Sequence, residues 1–451
     1  MTMVHSISKI INRVFNLRAN RTTIKTELRA GLTTYLTMAY ILFVNPSVLG
    51  HAIQIPGIDL KPELLTTTAL ATAFATMLMA FIGKYPLAIA PGMGLNAYFA
   101  FTVVAGQGVP WQTALGGVFI SGLIFLAISI GRIREVIFTA IPLELKHATA
   151  AGIGLFLAMI GFTNSGIVVG HPATLVTIGK LSSTPAIVTI TGILVTTVLM
   201  VRRVRGAILF GISVSTALAI MTGAPVFNGH PFSGFPAGII AAPVWPSHLF
   251  MAMDLKGAMA MGLIQIVFTF TMIELFDTAG TLVGISEKAG LLDAKGRLPR
   301  ASQVFAADAT ANIAGAMLGT SPMTTYIESA AGIEDGGKTG LTALTVALLF
   351  LASIVLWPLA GVIPPHATAP AMIVVGCMMM GSLAKIKWDN LLTGLPAFLT
   401  LALMPLTYSI SNGISAGIVS WCGVHILAGK SRQVHWILYV LGFLLLMKVG
   451  L

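Results

Sequence analysis

Apolar runs of about 20 residues recur from one end of the chain to the other, separated by short polar stretches. A run of that length is what an α-helix needs to cross the hydrocarbon core of a bilayer. We read about 14 runs in two sets of seven. Their approximate bounds are 30–49, 64–83, 86–105, 113–131, 148–168, 184–201, 206–222, 255–284, 301–318, 320–337, 341–363, 367–384, 391–409 and 412–428. The sequence therefore predicts an all-α polytopic membrane protein. A last, shorter apolar stretch, 434–449, either lies along the membrane interface or indicates a different division of the final spans.

The composition excludes a soluble domain. Hydrophobic residues make up 56% of the chain and charged residues only 9%, whereas soluble domains carry about 25% charged residues. The formal net charge of +11 comes mainly from short loops, where Lys and Arg set the orientation in the membrane rather than bind nucleic acid. If residues 1–29 are a cytoplasmic arm, the basic stretches 202–205 and 288–300 also fall inside. We therefore predict a multi-pass protein of the cell (inner) membrane with a cytoplasmic N-terminus.

Two of the runs are broken by small and polar residues. Residues 320–337 hold Gly, Ser, Thr and Pro around Glu328, and residues 86–105 contain the stretch Ala90-Pro91-Gly92-Met93-Gly94. Non-helical backbone at membrane depth must be buried in protein or line a cavity, because lipid cannot satisfy its N–H and C=O groups. Paired interruptions in the two halves of a chain are the best sequence indication of a transporter site.

A repeated tetrapeptide, in addition to the paired interruptions, indicates that the halves arose by duplication. The tetrapeptide His-Ala-Thr-Ala occurs at 147–150 and again at 366–369, in each case after the apolar run that follows the broken segment. A duplicated unit with an odd number of spans must be inverted in the membrane. We therefore predict a 7+7 inverted repeat.

Few carboxylates fall within the predicted spans, and the candidates among them are Glu274, Asp277, Asp308 and Glu328. Glu274 and Asp277 are three residues apart, which places them on one face of a helix. A carboxylate at membrane depth costs several kcal/mol, so each is a functional-site hypothesis. The alternative for each is a helix–helix hydrogen bond to Ser, Thr or Asn.

Neutral side chains in the broken segments suit a planar ligand. Asn96 offers both a donor and an acceptor, which fits the edge of a heterocycle, although it could instead cap the helix that follows. Tyr326 and Phe99 could stack on a ring or simply pack.

The stretch 332–339 matches the pattern G-x-x-x-x-G-K-T of phosphate-binding loops. Such a loop must follow a strand and open a helix of an α/β domain, whereas this one lies between apolar segments. We therefore expect it to end the tenth span and cap the eleventh. The sequence also has no H-E-x-x-H motif, and an enzyme is disfavoured.

Three stretches together resemble the azaguanine-type adenine/guanine/hypoxanthine permeases of the nucleobase–cation symporter superfamily. They are 90–99 (APGMGLNAYF), 275–282 (LFDTAGTL) and 325–329 (TYIES) followed by 336–343 (GGKTGLTA). The likeness extends from Thr33 to about Phe398, and the second and third stretches look most like those of bacterial adenine permeases.

The resemblance implies two domains that each draw on both repeats, with short strands in segments 3 and 10. The expected division is a cytoplasmic arm (1–29), a core domain (30–131 and 251–363), a gate domain (132–222 and 364–451) and an extracytoplasmic loop (223–250). A homodimer through the gate domain is also implied.

The resemblance also implies the functional residues. Those expected to bind substrate are Asn96, Asp277, Thr278, Tyr326, Ile327, Glu328 and Ser329. The coupling proton is expected on Glu328, Asp277 or Glu274, since Glu274 and Asp277 can each be aligned with the family's acidic position.

The expected function is proton-coupled uptake of a purine base, with adenine as the first choice, by alternating access. No cofactor is expected, and the proton is the coupling ion. The alternative within the family is a guanine/hypoxanthine–proton symporter. A passive channel for small neutral solutes is more distant.

Overall fold

The computed structural model of the protein describes residues 9–130, 140–224, 232, 234, 238–260, 264–288 and 298–449. Helices dominate these ranges, within which four short strands pair as two separate two-stranded sheets. The helices are α1 (Ile24–Met38), α2 (Ile41–Leu49), α3 (Lys61–Leu78), α4 (Met93–Ala97), α5 (Trp111–Ile130), α6 (Leu143–Asn164), α7 (Thr184–Val201), α8 (Ala207–Met221), α9 (Leu255–Ala260), α10 (Ile264–Lys288), α11 (Ala301–Leu318), α12 (Ser329–Glu334), α13 (Gly340–Ala352), α14 (Pro365–Met379), α15 (Leu391–Leu406), α16 (Ile410–Leu427) and α17 (Trp436–Val449). The strands are β1 (Ile89–Pro91), β2 (Val168–His171), β3 (Leu175–Ile178) and β4 (Met323–Thr325).

Several helices continue in turns of a different pitch. Residues Met79–Gly83 extend α3 and Tyr98–Gly106 extend α4 as π-helical turns. Residues Ser353–Gly361 and Met380–Lys385 extend α13 and α14 as 3₁₀ turns. With these extensions, eight helices in the described ranges are long and apolar enough to cross a membrane. A mostly helical, polytopic membrane protein, as the sequence predicts, is confirmed.

The structure differs from the first predicted span, 30–49, in two ways. The observed helix begins earlier, at Ile24, where the hydroxyl of Thr23 accepts a hydrogen bond from the Thr26 N–H and so caps the helix. The observed segment is also divided by a turn at Ala39 and Tyr40 into α1 and α2. The division places Tyr40 at an interruption, where its hydroxyl reaches Glu328.

The two broken segments meet as a sheet inside the helical bundle. Strands β1 and β4 pair antiparallel with Ile89 opposite Thr325 and Pro91 opposite Met323. Each strand is fully buried, and each leads into a short helix, α4 after β1 and α12 after β4. Residues far apart in the chain are thereby brought to one place.

The two helices that contain the repeated His-Ala-Thr-Ala tetrapeptide, α6 and α14, pack directly against each other. A Cβ atom added to Gly376 would lie 2.3 Å from the Gly154 carbonyl oxygen, and one added to Gly154 would lie 2.7 Å from the Gly376 carbonyl oxygen. Only glycine permits this approach, which is the small-residue packing expected where two membrane helices cross closely.

The chain ends in a helix over the apolar stretch 434–449. Helix α17 buries Leu438, Leu441 and Leu445, and the Cys422 thiol of α16 donates a hydrogen bond to the Leu438 carbonyl. It therefore packs on the bundle through one face.

Candidate functional site

One side chain from a neighbouring helix satisfies the outer edge of each central strand. The Thr76 hydroxyl of α3 donates to the Ile89 carbonyl (3.0 Å) and accepts from the Ile89 N–H (3.1 Å). The Asn312 amide of α11 donates to the Met323 carbonyl (3.0 Å) and accepts from the Met323 N–H (2.6 Å). Because buried backbone groups need partners, these two residues allow the sheet to end at two strands.

Asp308 and Glu274 belong to the buried support of this sheet. Asp308 accepts hydrogen bonds from the hydroxyls of Thr278 on α10 and Thr325 on β4. Glu274 accepts one from the Asn312 amide. Both carboxylates are fully buried and lie among polar groups of three elements, α10, α11 and β4. A carboxylate that accepts charge-assisted hydrogen bonds fixes the elements that donate them.

Glu328 lies in a different setting. It immediately precedes α12 and is partly exposed, and one of its carboxylate oxygens accepts a hydrogen bond from the Tyr40 hydroxyl at 2.7 Å. Its neighbour Ile327 has 52% of its surface exposed. The site thus has one partly open face at Glu328 and Ile327, next to a fully buried sheet.

Asn96 lies on α4, in the helical part of the other broken segment. The residue is completely buried, and neither its amide nitrogen nor its amide oxygen has a hydrogen-bond partner within the described parts of the chain. A buried polar group without a partner costs about 1–3 kcal/mol. A ligand or water that bonds to this amide would recover that free energy.

Three further residues of the expected substrate site hydrogen-bond within the protein. The Tyr326 hydroxyl donates to the Pro91 carbonyl (2.6 Å), and the Ser329 hydroxyl accepts from the Ala88 N–H (3.0 Å). The Thr278 hydroxyl donates to Asp308. Tyr326 and Ser329 therefore join segment 10 to segment 3 beside the sheet.

Asp277 lies within α10, directly before Thr278. Its side chain falls outside the described part of the structure. Of the seven expected substrate residues, the structure thus describes the side chains of six, and of these six only Ile327 and Glu328 are not buried.

The stretch that matches a phosphate-binding loop already holds an anion from the protein itself. The carboxylate of Glu27, on α1, accepts hydrogen bonds from the backbone N–H groups of Lys338, Thr339 and Thr342. It also accepts bonds from the Thr339 hydroxyl (2.8 Å) and the Thr342 hydroxyl (2.7 Å). These donors surround the N-terminus of α13, which favours negative charge. The stretch is therefore a tether between segments 1, 10 and 11.

Two contributors to the site were missed by reasoning from the sequence, namely Tyr40 and Thr76. Tyr40 lies within the first predicted span, but no pattern in the sequence indicates which side chain its hydroxyl contacts. Thr76 lies in a run of Thr and Ala on α3 and has no distinguishing spacing.

A bundle of apolar helices with two broken segments paired at its centre, and with buried acids around them, is the architecture of a membrane transporter. The chain belongs to the permease family, whose model matches residues 25–416. It is 41% identical over 440 residues to the adenine permease AdeP of Escherichia coli, which covers 98% of this chain and 96% of that protein. It is 42% identical over 426 residues to the guanine/hypoxanthine permease PbuG of Bacillus subtilis, which covers 93% and 94%.

These relatives confirm the resemblance drawn from the motifs, and the protein is a permease and not an enzyme. Among solved structures, the chain is similar to the transmembrane domain of the cyanobacterial bicarbonate transporter BicA. The TM-score is 0.62 at 15% identity, over 87% of this chain and 97% of that one. At this identity the likeness concerns the fold alone.

Proposed function

We propose that this permease takes up a purine nucleobase together with a proton across the cell membrane, and that its preferred base is adenine. The observation that carries the proposal is that the paired strands β1 and β4 lead into short segments that carry two different polar groups. Glu328 offers a partly exposed acceptor, and Asn96 offers a buried donor and acceptor without partners in the described chain. The edge of a purine also presents both donors and acceptors, so such a set can bind it.

The likeness of the relatives supports the substrate class. AdeP is described as an adenine permease and PbuG as a guanine/hypoxanthine permease. Their identities to this chain are nearly equal, so a guanine/hypoxanthine–proton symporter is the second candidate. Adenine is favoured by the motif forms Leu275-Phe276-Asp277 and Tyr326-Ile327-Glu328-Ser329.

Several architectural features of the proposal follow from the same reasoning. We propose about 14 spans as a 7+7 inverted repeat, supported by the antiparallel meeting of β1 and β4 and by the BicA-like fold. The core domain would comprise 30–131 and 251–363, and the gate domain 132–222 and 364–451. The arm 1–29 would be cytoplasmic and 223–250 extracytoplasmic, as the positive-inside rule favours. Dimers would form through the gate domain.

The coupling proton would reside on Glu328, with Asp277 and Glu274 as the other proposed acids. Protonation from outside would permit binding of the base, and release inside would reset the carrier. One charge that moves through about 100 mV provides about 2.3 kcal/mol. That free energy supports accumulation of the base by between one and two orders of magnitude. A passive channel could not concentrate its solute.

The experiment that tests this function is uptake of radiolabelled adenine by cells that express the chain, with and without an uncoupler. Unlabelled hypoxanthine, guanine and uracil serve as competitors. Uptake that collapses with the uncoupler and resists hypoxanthine is the expected result. Competition by hypoxanthine and guanine would favour the second candidate. Uptake that survives the uncoupler would contradict proton coupling, and no purine uptake by protein at the membrane would overturn the substrate class.

Glu328→Gln tests the proposed coupling residue. We expect this variant to lose concentrative uptake because a glutamine cannot exchange a proton. Glu334→Gln is the matched control, since Glu334 lies six residues further along the same short segment and is exposed. Wild-type accumulation by the Glu328→Gln variant would exclude Glu328 as the coupling residue.

A further inference from the structure

We propose that Tyr40 is a positioning residue for substrate, which holds the carboxylate of Glu328 in the orientation that receives the base. This inference rests on the proposed function, because it concerns how the same site binds its ligand. Tyr40 contributes through a contact between segments 1 and 10, at residues 288 positions apart in the chain.

Tyr40 is itself held firmly. The residue is 1% exposed and belongs to the main hydrophobic cluster. It forms the turn between α1 and α2, where its carbonyl accepts hydrogen bonds from the N–H groups of Phe43 (3.1 Å) and Val44 (3.0 Å). A phenol fixed in this way can direct a hydrogen bond with little loss of side-chain entropy on ligand binding.

The contact engages one oxygen of Glu328, and no other side chain in the described part of the chain is seen to hydrogen-bond the second one, Oε2. The Tyr40 hydroxyl donates to Oε1 of Glu328 at 2.7 Å, a charge-assisted hydrogen bond when the carboxylate is ionised. With Oε1 engaged by the phenol, the coupling proton resides on Oε2, and this O–H donates a hydrogen bond to a ring nitrogen of the base. Without the phenol, the carboxylate could rotate about its last side-chain bond, and binding would have to restrict that rotation.

The facing groups identify Tyr40 as the phenol that orients this acid. Tyr326, two residues before Glu328, commits its hydroxyl to the Pro91 carbonyl at 2.6 Å. Thr37 of α1 reaches only the backbone oxygen of Glu328, at 3.5 Å. In the described part of the chain, Tyr40 is the side chain whose hydrogen bond to the Glu328 carboxylate is seen.

Segment 1 supplies a matched control in Tyr35. Its hydroxyl hydrogen-bonds the Ser353 hydroxyl at the same separation, 2.7 Å, away from Glu328. Tyr35→Phe and Tyr40→Phe therefore remove the same atom and a hydrogen bond of the same length from one segment. Only Tyr40→Phe removes the hydrogen bond to the Glu328 carboxyl group.

The test is the concentration dependence of purine uptake by wild type, Tyr40→Phe and Tyr35→Phe, with each value normalised to the amount of permease in the membrane. We expect Tyr40→Phe to raise KM by about tenfold, because binding of the base must then restrict the rotation of the Glu328 carboxyl group, with a much smaller change in maximal rate. Tyr35→Phe is expected to leave KM within about twofold of wild type.

A second measurement separates positioning from stability. Purine-induced stabilisation of the purified protein against heat is recorded for Tyr40→Phe, Glu328→Ala and the double variant. Because Tyr40 acts through the carboxyl group that Glu328→Ala removes, the double variant is expected to bind no more weakly than Glu328→Ala alone. An additional loss in the double variant would contradict the inference.

The two proposals fail differently. If wild type takes up purine and Tyr40→Phe has the KM of wild type, the role of Tyr40 is overturned and the function stands. An equal rise of KM in Tyr35→Phe would also overturn it, because the effect would then be a general consequence of a lost phenol in segment 1. If wild type takes up no purine, the proposed function and the role of Tyr40 fall together.

Discussion

At the scale of single residues, four acids of the described ranges differ in burial and in the groups that their carboxyl oxygens contact. Glu27, Glu274 and Asp308 are buried and accept hydrogen bonds from neighbouring elements. Glu328 is partly exposed, as its proposed contact with the ligand requires. Membrane depth alone makes each acid a candidate for the site, but burial and hydrogen-bond partners distinguish the three buried acids from Glu328.

Asn96 permits a sharp prediction at this scale. Asn96→Leu is nearly isosteric and removes an amide that has no hydrogen-bond partner in the described chain. We expect the thermal midpoint of the purified protein to stay the same or rise, because no hydrogen bond is lost and a buried polar group is removed. The KM for purine is expected to rise about tenfold or more, measured by uptake.

Asn45→Leu is the matched control for that substitution. Asn45 is also fully buried, but its amide donates to the hydroxyls of Thr68 (2.8 Å) and Thr320 (3.0 Å). Its replacement should lower the thermal midpoint. If Asn96→Leu destabilised the protein as strongly as Asn45→Leu, the Asn96 amide would have a structural partner, and its assignment to the ligand would be wrong.

At the scale of elements, the central sheet exists because helices supply the partners that lipid cannot. Each strand has three residues, and its outer edge is satisfied by Thr76 or Asn312. The interruption of the two apolar runs was evident from Gly, Pro and polar residues. The pairing register and the two edge residues were not, because they depend on which helices pack beside the strands.

The edge function of Thr76 can be measured with a control from the same helix. Thr76→Val should destabilise the protein by about 1–3 kcal/mol, since it leaves the Ile89 N–H and carbonyl without that partner. Thr72, one turn earlier on α3, is fully buried too, but its hydroxyl has no hydrogen-bond partner among the described residues. Thr72→Val should therefore cost little.

Thermal unfolding of both variants in one detergent compares the two substitutions directly. A fall in the midpoint for Thr76→Val alone is expected. Equal midpoints for the two variants would mean that the strand edge does not depend on Thr76.

At the scale of the whole molecule, contacts already link the proposed core and gate domains. The Ser47 hydroxyl of α2 lies 3.3 Å from the Thr368 hydroxyl of α14. Arg205, after α7, pairs with Asp335, after α12, at 2.9 Å. If the core moves against the gate as a rigid body during transport, both contacts must break in another state of the cycle.

Cross-linking at the first contact tests that movement. Ser47→Cys with Thr368→Cys, in a variant that lacks Cys377 and Cys422, places two thiols where hydroxyls now meet. Oxidation should form a disulfide and arrest uptake, and a reductant should restore it. Each single cysteine variant controls for oxidation alone. Full uptake by protein shown to be cross-linked would mean that this contact does not open during transport.

The sequence by itself determined the membrane class, the approximate bounds of the helices, the two interruptions and the permease family. These follow from hydropathy along the chain and from local motifs, which need no knowledge of neighbours in space. Helix α11, for example, has the predicted bounds 301–318, because its apolar character ends where the glycine-rich segment begins.

Only the tertiary structure decided what each polar group contacts. The bond from Tyr40 to Glu328, the capture of the loop 338–342 by Glu27 and the edge bonds of Thr76 and Asn312 join separate elements. Lipid offers no hydrogen bonds, so buried polar groups must find partners inside the bundle. Which partner each group finds is fixed by how the helices pack, and no local pattern records it.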